Sequence, residues 1–125
     1  MYTPINFLVL ILFLSLGCSA QQKKPMVRLA KLEIDSAQLE SYKLFAKEEI
    51  ETSMRVEAGV LALYAVFEKE HPTRLTILEI YADTPAYQSH IKTPHFLKYK
   101  NGTAKMVKSL ELIEADPLFP DMKIK

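Results

Sequence analysis

From Val27 to Ile34 apolar and polar side chains alternate, with Ala30, Leu32 and Ile34 on one side, which is the period of a strand. Asp35 then stands where a helix cap is expected, with Gln38 at the reciprocal position of a capping box. Beyond it the period changes. Leu39, Tyr42, Ala46, Ile50 and Met54 recur at steps of three and four, an apolar helical stripe, while Glu40, Lys43, Lys47 and Glu51 make the solvated side. Glu57-Ala58-Gly59 should end this helix, glycine being the usual C-terminal breaker. Val60 to Phe67 and Leu75 to Ala82 read as the next strands, and the polar, proline-containing Glu68 to Thr73 as the hairpin loop between them.

Those two strands are apolar on both faces: Leu61, Leu63 and Ala65 alternate with Ala62, Tyr64 and Val66. An antiparallel sheet with one wet face would alternate apolar with polar instead, so both sides of this sheet need cover. Helices can cover one side. The rest of the chain holds nothing to cover the other, and a second copy of the sheet is the economical answer, which predicts a homodimer.

Asp83-Thr84 can cap a helix from Pro85 to Lys92, with proline at its first position. Pro94 restarts a helical segment through Phe96, Leu97 and Tyr99 towards Met106 and Val107, and Gly102 inside it should loosen it locally. Ser109 to Ala115 closes as a strand before Asp116-Pro117. The expected fold is α+β: βαββαβ with the second helix broken, the split-βαβ ferredoxin-like arrangement on an antiparallel sheet.

Phe7 to Leu16 is almost unbroken hydrocarbon, about half of the ~20 residues that span a bilayer and within the range of a signal-peptide core. It ends in Ser15-Leu16-Gly17-Cys18-Ser19, which resembles a bacterial lipoprotein box with Cys18 as the acylated residue. The expected organisation is a leader over residues 1–17, a polar tether over 18–26, one domain over 27–117 and a tail over 118–125. On this reading a lipid anchor alone holds the protein to the cell envelope, facing the periplasm. The alternative is secretion after cleavage behind Ala20. Cys18 is the sole cysteine, so the domain forms no disulfide and depends on its core. A net charge of +1 with Lys and Glu interspersed lacks the clustered basic face that nucleic acid requires.

Glu79 is a charged residue inside an apolar strand, expensive to bury without a partner. His90, on the following helix, is the partner within reach. Such a pair is either a poised proton shuttle or a structural pin between helix and sheet. His95 lies just past Pro94 and is a second candidate base or a pocket-rim residue. Thr93 is a possible hydroxyl donor to a ligand or the cap of the segment after it. Tyr64, Tyr81, Phe96 and Tyr99 are candidate pocket walls or simply core. His90 and His95 lack the spacing that puts two imidazoles on one helix face, and no third ligand is evident, so no metal is expected. No glycine-rich phosphate cradle suggests a nucleotide or flavin, and no nucleophile elbow is present.

The order of strand-Glu79, helix-His90 and Thr93-Pro94-His95-Phe96 resembles the antibiotic biosynthesis monooxygenase (ABM) domain family, proteins of the dimeric α+β barrel class. Glu57 to Ala82 and Met106 to Pro117 share the likeness, which covers Val27 to Pro117. The resemblance implies cofactor-independent oxidation of a small aromatic or quinol substrate in a pocket between helices and sheet. His90 or His95 would be the base and Glu79 the orienting carboxylate, with Tyr64, Thr93, Phe96 and Tyr99 at the substrate. Haem-degrading relatives look to rely on a tryptophan and an asparagine in the pocket. This chain has no Trp, and its asparagines, Asn6 and Asn101, lie in the leader and beside Gly102. A non-catalytic, membrane-tethered dimer that binds a small ligand is the other reading.

Overall fold

The computed structural model describes residues 24–125; the leader, the lipoprotein box and Cys18 lie outside the described residues. Strand β1 spans Met26–Ile34 and a short 3-10 turn, Ser36–Gln38, leads into helix α1, Leu39–Val56. Strands β2 (Val60–Phe67) and β3 (Arg74–Tyr81) form the hairpin, followed by α2 (Thr84–His90), α3 (Pro94–Thr103) and β4 (Val107–Ala115). The strands make one antiparallel sheet in the order β2-β3-β1-β4. This is the ferredoxin-like α+β arrangement, and the proline break does divide the second helical region into two helices. Among the described residues no helix is long and apolar enough to cross a membrane.

Register fixes which side chains share a face. Arg28 pairs with Glu79, which pairs in turn with Leu63; Ala30 pairs with Ile77 and Leu32 with Leu75. Because side chains alternate along a strand, all of these point to the helix side. There Ala30, Leu32, Ile34, Leu75 and Ile77 pack with Tyr42 and Ala46 of α1 as the main core. The opposite face carries Leu29, Leu78 and Tyr64, aligned across three strands, and among the described residues no helix covers it. Tyr64 is 69% exposed there, and Leu61 and Val66 are also exposed.

Three details depart from the pattern-based expectation. The stripe of α1 holds at Tyr42 and Ala46, but Met54 is exposed, and the buried positions near the C-terminal end are Glu49 and Ser53. The helix therefore turns a polar edge inward over its last two turns. Second, Gly59 has no positive φ, so it is not a left-handed cap. It is there because a Cβ would stand 2.6 Å from the Cβ of Ala86, where the start of β2 meets α2. Third, Gly102 marks a close approach rather than a loose point: a Cβ there would lie 2.4 Å from the Phe45 ring of α1.

Candidate active site

Helix α2 is placed by its own ends. The side chain of Asp83 accepts from the Ala86 N–H and Pro85 occupies the first turn. Thr93 then closes the α2–α3 corner from both sides: its hydroxyl donates to the His90 carbonyl at 2.8 Å and accepts from the Phe96 N–H at 3.3 Å. The consequence is a fixed geometry for the two imidazoles. His90 is the last residue of α2, His95 the second of α3, and both rings turn towards the end of α1.

What meets them is Glu57. His90 Nδ1 lies 2.9 Å and His95 Nε2 2.7 Å from the same carboxylate oxygen, Glu57 Oε2. The other nitrogen of His90, Nε2, is 3.4 Å from Glu49 Oε1, which accepts from the Ser53 hydroxyl at 2.6 Å. Glu49, Ser53 and His90 are buried, and Glu57 and His95 nearly so. Burial pushes the Glu49 carboxyl up, against the Ser53 hydrogen bond and the attraction of the histidines. Burial would also raise Glu57, but the bonds from His95 and His90 outweigh it and hold that carboxyl below the usual range.

Glu79 and His90 therefore make no direct hydrogen bond, contrary to the direct form of the sequence-based expectation. Glu79 instead accepts a long bond of 3.4 Å from the Tyr81 hydroxyl two residues on. The expectation took the next helix as the only source of a partner and overlooked α1. Glu79 and His90 do border the same cavity, of about 640 Å³, between the helices and the sheet. Its floor is apolar, with Ala30, Leu63 and Ile77, and Glu49, Glu79 and His90 are set into its wall. Burial raises the Glu79 carboxyl, against the attraction of Arg28 and His90. Burial likewise raises the phenols of Tyr81 and Tyr99.

The other candidates divide. Phe96 lines the cavity edge-on to His90, with ring centroids 5.1 Å apart. Tyr99 lines it too, its hydroxyl 2.6 Å from that of Tyr42. Tyr64 does not: alternation along β2 puts it on the uncovered face, and Leu63 takes the cavity position. Thr93 spends its hydroxyl on capping and lies outside the main cavity. His95 also lies outside it, behind His90. The sequence reading missed Glu49, Ser53 and Glu57. Their spacing of four residues, a polar line beside the apolar stripe, was the available signal.

With this geometry in place, comparison with known proteins is decisive for the family. The family described as antibiotic biosynthesis monooxygenase matches residues 25–102. The chain belongs to the ABM family. A solved structure of a candidate ABM protein from Bacteroides thetaiotaomicron is 62% identical, with 82% of this chain and 97% of that one covered at a TM-score of 0.80. A candidate monooxygenase from Lactobacillus acidophilus is 34% identical at a TM-score of 0.70, over 73% of this chain but only 43% of that one. A candidate ABM protein from Nitrosomonas europaea, 21% identical over 79% of this chain and 95% of that one, shares the fold at a TM-score of 0.72. No curated protein matches the chain at a significant level. For this ABM domain, the cavity wall and the carboxylate–histidine cluster behind it are the candidate machinery.

Proposed function

We propose that this ABM domain is a cofactor-independent monooxygenase that oxidises a small electron-rich aromatic, of phenol or hydroquinone type, inside the cavity. The observation that carries the reading is Glu79, a carboxylate in the wall of a cavity with an apolar floor, its proton affinity raised by burial. A base of raised pKa is suited to take a phenolic proton near neutral pH. The phenolate is the electron donor, passing electrons to dioxygen directly. One oxygen atom enters the substrate and the other leaves as water with two hydrogens from the substrate, so no external reductant is needed. The apolar floor keeps bulk water from the reactive intermediate. His90 borders the cavity, but its nitrogens face Glu57 and Glu49; it acts as a positioning residue, and His95 supports it through Glu57.

Names of relatives agree with this reaction class. The Bacteroides and Lactobacillus proteins are both described as candidate monooxygenases. Oxygen uptake by the purified protein over a panel of hydroquinones and phenols tests the proposal. Uptake that falls in both Glu79→Gln and His90→Ala supports it. No uptake, with a small molecule co-purifying in the cavity, would instead favour a ligand-binding module, a reading consistent with the full engagement of His90.

The same proposal includes two further expectations. The uncovered sheet face joins a second copy, making a homodimer, and acylated Cys18 tethers that dimer to the envelope of a bacterial cell. Mass spectrometry of the mature N-terminus checks the tether. An unmodified Cys18, or a chain beginning at Gln21, removes it.

A further inference from the structure

The Glu57–His90–His95 cluster does more than the oxidation chemistry asks of it. Only His90 of the three borders the main cavity, yet all three offer ligand atoms within 4.8 Å of one another. We propose that Glu57, His90 and His95 form a binding site for a divalent cation of the zinc class, with one position left open to water.

Three features of the cluster support this. The donor set is two imidazole nitrogens and one carboxylate oxygen, which is the set of three-ligand zinc sites that keep a fourth position free. The atoms already converge: the nitrogens stand 2.9 and 2.7 Å from Glu57 Oε2. Ligand bonds of about 2.0–2.1 Å in a tetrahedral arrangement hold neighbouring ligand atoms a little over ~3 Å apart. Each nitrogen therefore moves back from Glu57 Oε2 by a few tenths of an ångström, while the two nitrogens, within 4.8 Å of each other, close on the cation. Finally, a histidine that binds metal through one nitrogen almost always directs the other at a carboxylate or carbonyl, which fixes its tautomer. His90 does this. With Nδ1 on the cation, Nε2 keeps its proton and faces Glu49 Oε1 at 3.4 Å, and Ser53 holds that carboxylate from behind.

The site is also built on rigid elements. Thr93 ties the α2–α3 corner that carries both histidines, and Glu57 is fixed at the end of α1, its backbone N–H donating to the Ser53 carbonyl. A second groove, which shares no lining residue with the main cavity, runs along Glu57, Gly59, Ala86, Ser89 and Thr93. That groove gives Glu57 a side open to solvent apart from the substrate cavity. The cation would join α1 to the α2–α3 corner and hold His90 in place. This role does not depend on the oxidation reaction and stands whether or not the domain consumes oxygen.

The probe is Zn²⁺, added to untagged, chelator-treated protein in competition with a chromophoric chelator, with Co²⁺ as the spectroscopic stand-in. One Zn²⁺ per chain, a Tm that rises with Zn²⁺ concentration, and visible bands of four-coordinate Co²⁺ are expected. His95→Ala and Glu57→Gln should each weaken affinity by at least about tenfold, the size of loss typical even for outer partners of a metal site. His71→Ala should leave it unchanged, because His71 sits in the exposed β2–β3 loop. Absence of stoichiometric uptake by the wild-type protein at micromolar Zn²⁺ would overturn the proposal, as would uptake that survives in His95→Ala or vanishes in His71→Ala. The wild-type Co²⁺ spectrum keeps the test decisive should Glu57→Gln fail to fold: without four-coordinate bands the site is refuted.

Discussion

The two faces of the sheet are built from the same apolar strands and end in opposite situations. On the helix side, Glu79 and Arg28 are neighbours in register, with Glu49 and His90 set over them around a cavity. On the other side, Leu29, Leu78 and Tyr64 run across three strands, and none of the described residues forms a layer above them. The covered face carries charge and spends burial on keeping it; the bare face is apolar at its centre and gains nothing from that in a monomer. Burying charge is costly, and on the proposed function catalysis is what it is kept for. Exposing a contiguous apolar surface is explained by contact with another molecule. On the proposed reading one strand serves two purposes, split by the parity of its residue numbers.

The most forceful way to break this comparison is to move charge to the bare face. Leu78→Lys places an ammonium at its centre, between Leu29 and Tyr64, where the monomer loses little because no helix packs there. In a dimer joined through this face the lysine would be buried without a partner, at a cost of about 3–5 kcal/mol for an uncompensated buried charge. Sedimentation should show a wild-type dimer at micromolar concentration and a folded Leu78→Lys monomer. A wild-type monomer would leave the bare face without a purpose.

Most of this architecture was legible in the chain, and the reason lies in the kind of signal. The apolar runs Val60–Phe67 and β3 announced two strands joined by a hairpin, and the Pro85 and Pro94 starts announced two helices. These are local patterns, set by period and backbone chemistry. The partnership of His90 was not local. It pairs across 33 residues with Glu57 and reaches Glu49 as well, and nothing in the α2 sequence says which carboxylate its ring will meet. Tyr64 failed for a simpler reason: a β-bulge between Val60 and Ala62 and the parity of β2 decide its face. A side chain one position away, Leu63, lines the cavity instead.

A second test addresses how tightly the covered side is closed. Gly102 of α3 lies against Phe45 of α1, with the position of an added Cβ 2.4, 2.8 and 3.0 Å from three ring atoms. Gly102→Ala would gain about 1 kcal/mol of helix propensity. The ring must move to admit the methyl group, and overpacking of this kind costs typically about 1–3 kcal/mol. The clash should win, lowering Tm and shifting α3 with its cavity residues Phe96 and Tyr99 away from α1. Thermal unfolding measures the first effect and ligand affinity the second. A Tm that rises would mean that the α1–α3 contact is looser than its geometry, and a Phe45→Leu background should then make no difference.

The smallest expected effect is also the one that separates function from stability. Glu79 faces Arg28 from β1, His90 from α2, Glu49 from α1 and the Tyr81 hydroxyl on its own strand. Desolvation outweighs the favourable members of this set and raises the carboxyl above its ordinary 4.5. A carboxyl raised on folding binds its proton more tightly in the native state than in the unfolded chain. Its stabilising share is therefore complete below pH 4.5 and is lost as pH rises through the folded pKa. At neutral pH the ionised Glu79 is a burden on the fold, and Glu79→Gln removes it. The variant should melt a few degrees higher at pH 7, the shift that a change of about 1 kcal/mol gives a domain of ~100 residues. The gain should shrink as the pH is lowered towards 4.5 and disappear below it. Oxygen uptake should move the opposite way, because Gln cannot accept the phenolic proton. Higher stability joined to lost turnover is the signature of a base kept at the expense of the fold. A Glu79→Gln protein that melts lower at pH 7 would make Glu79 a structural partner of Arg28, and the charge on the covered face would then need no catalytic reason.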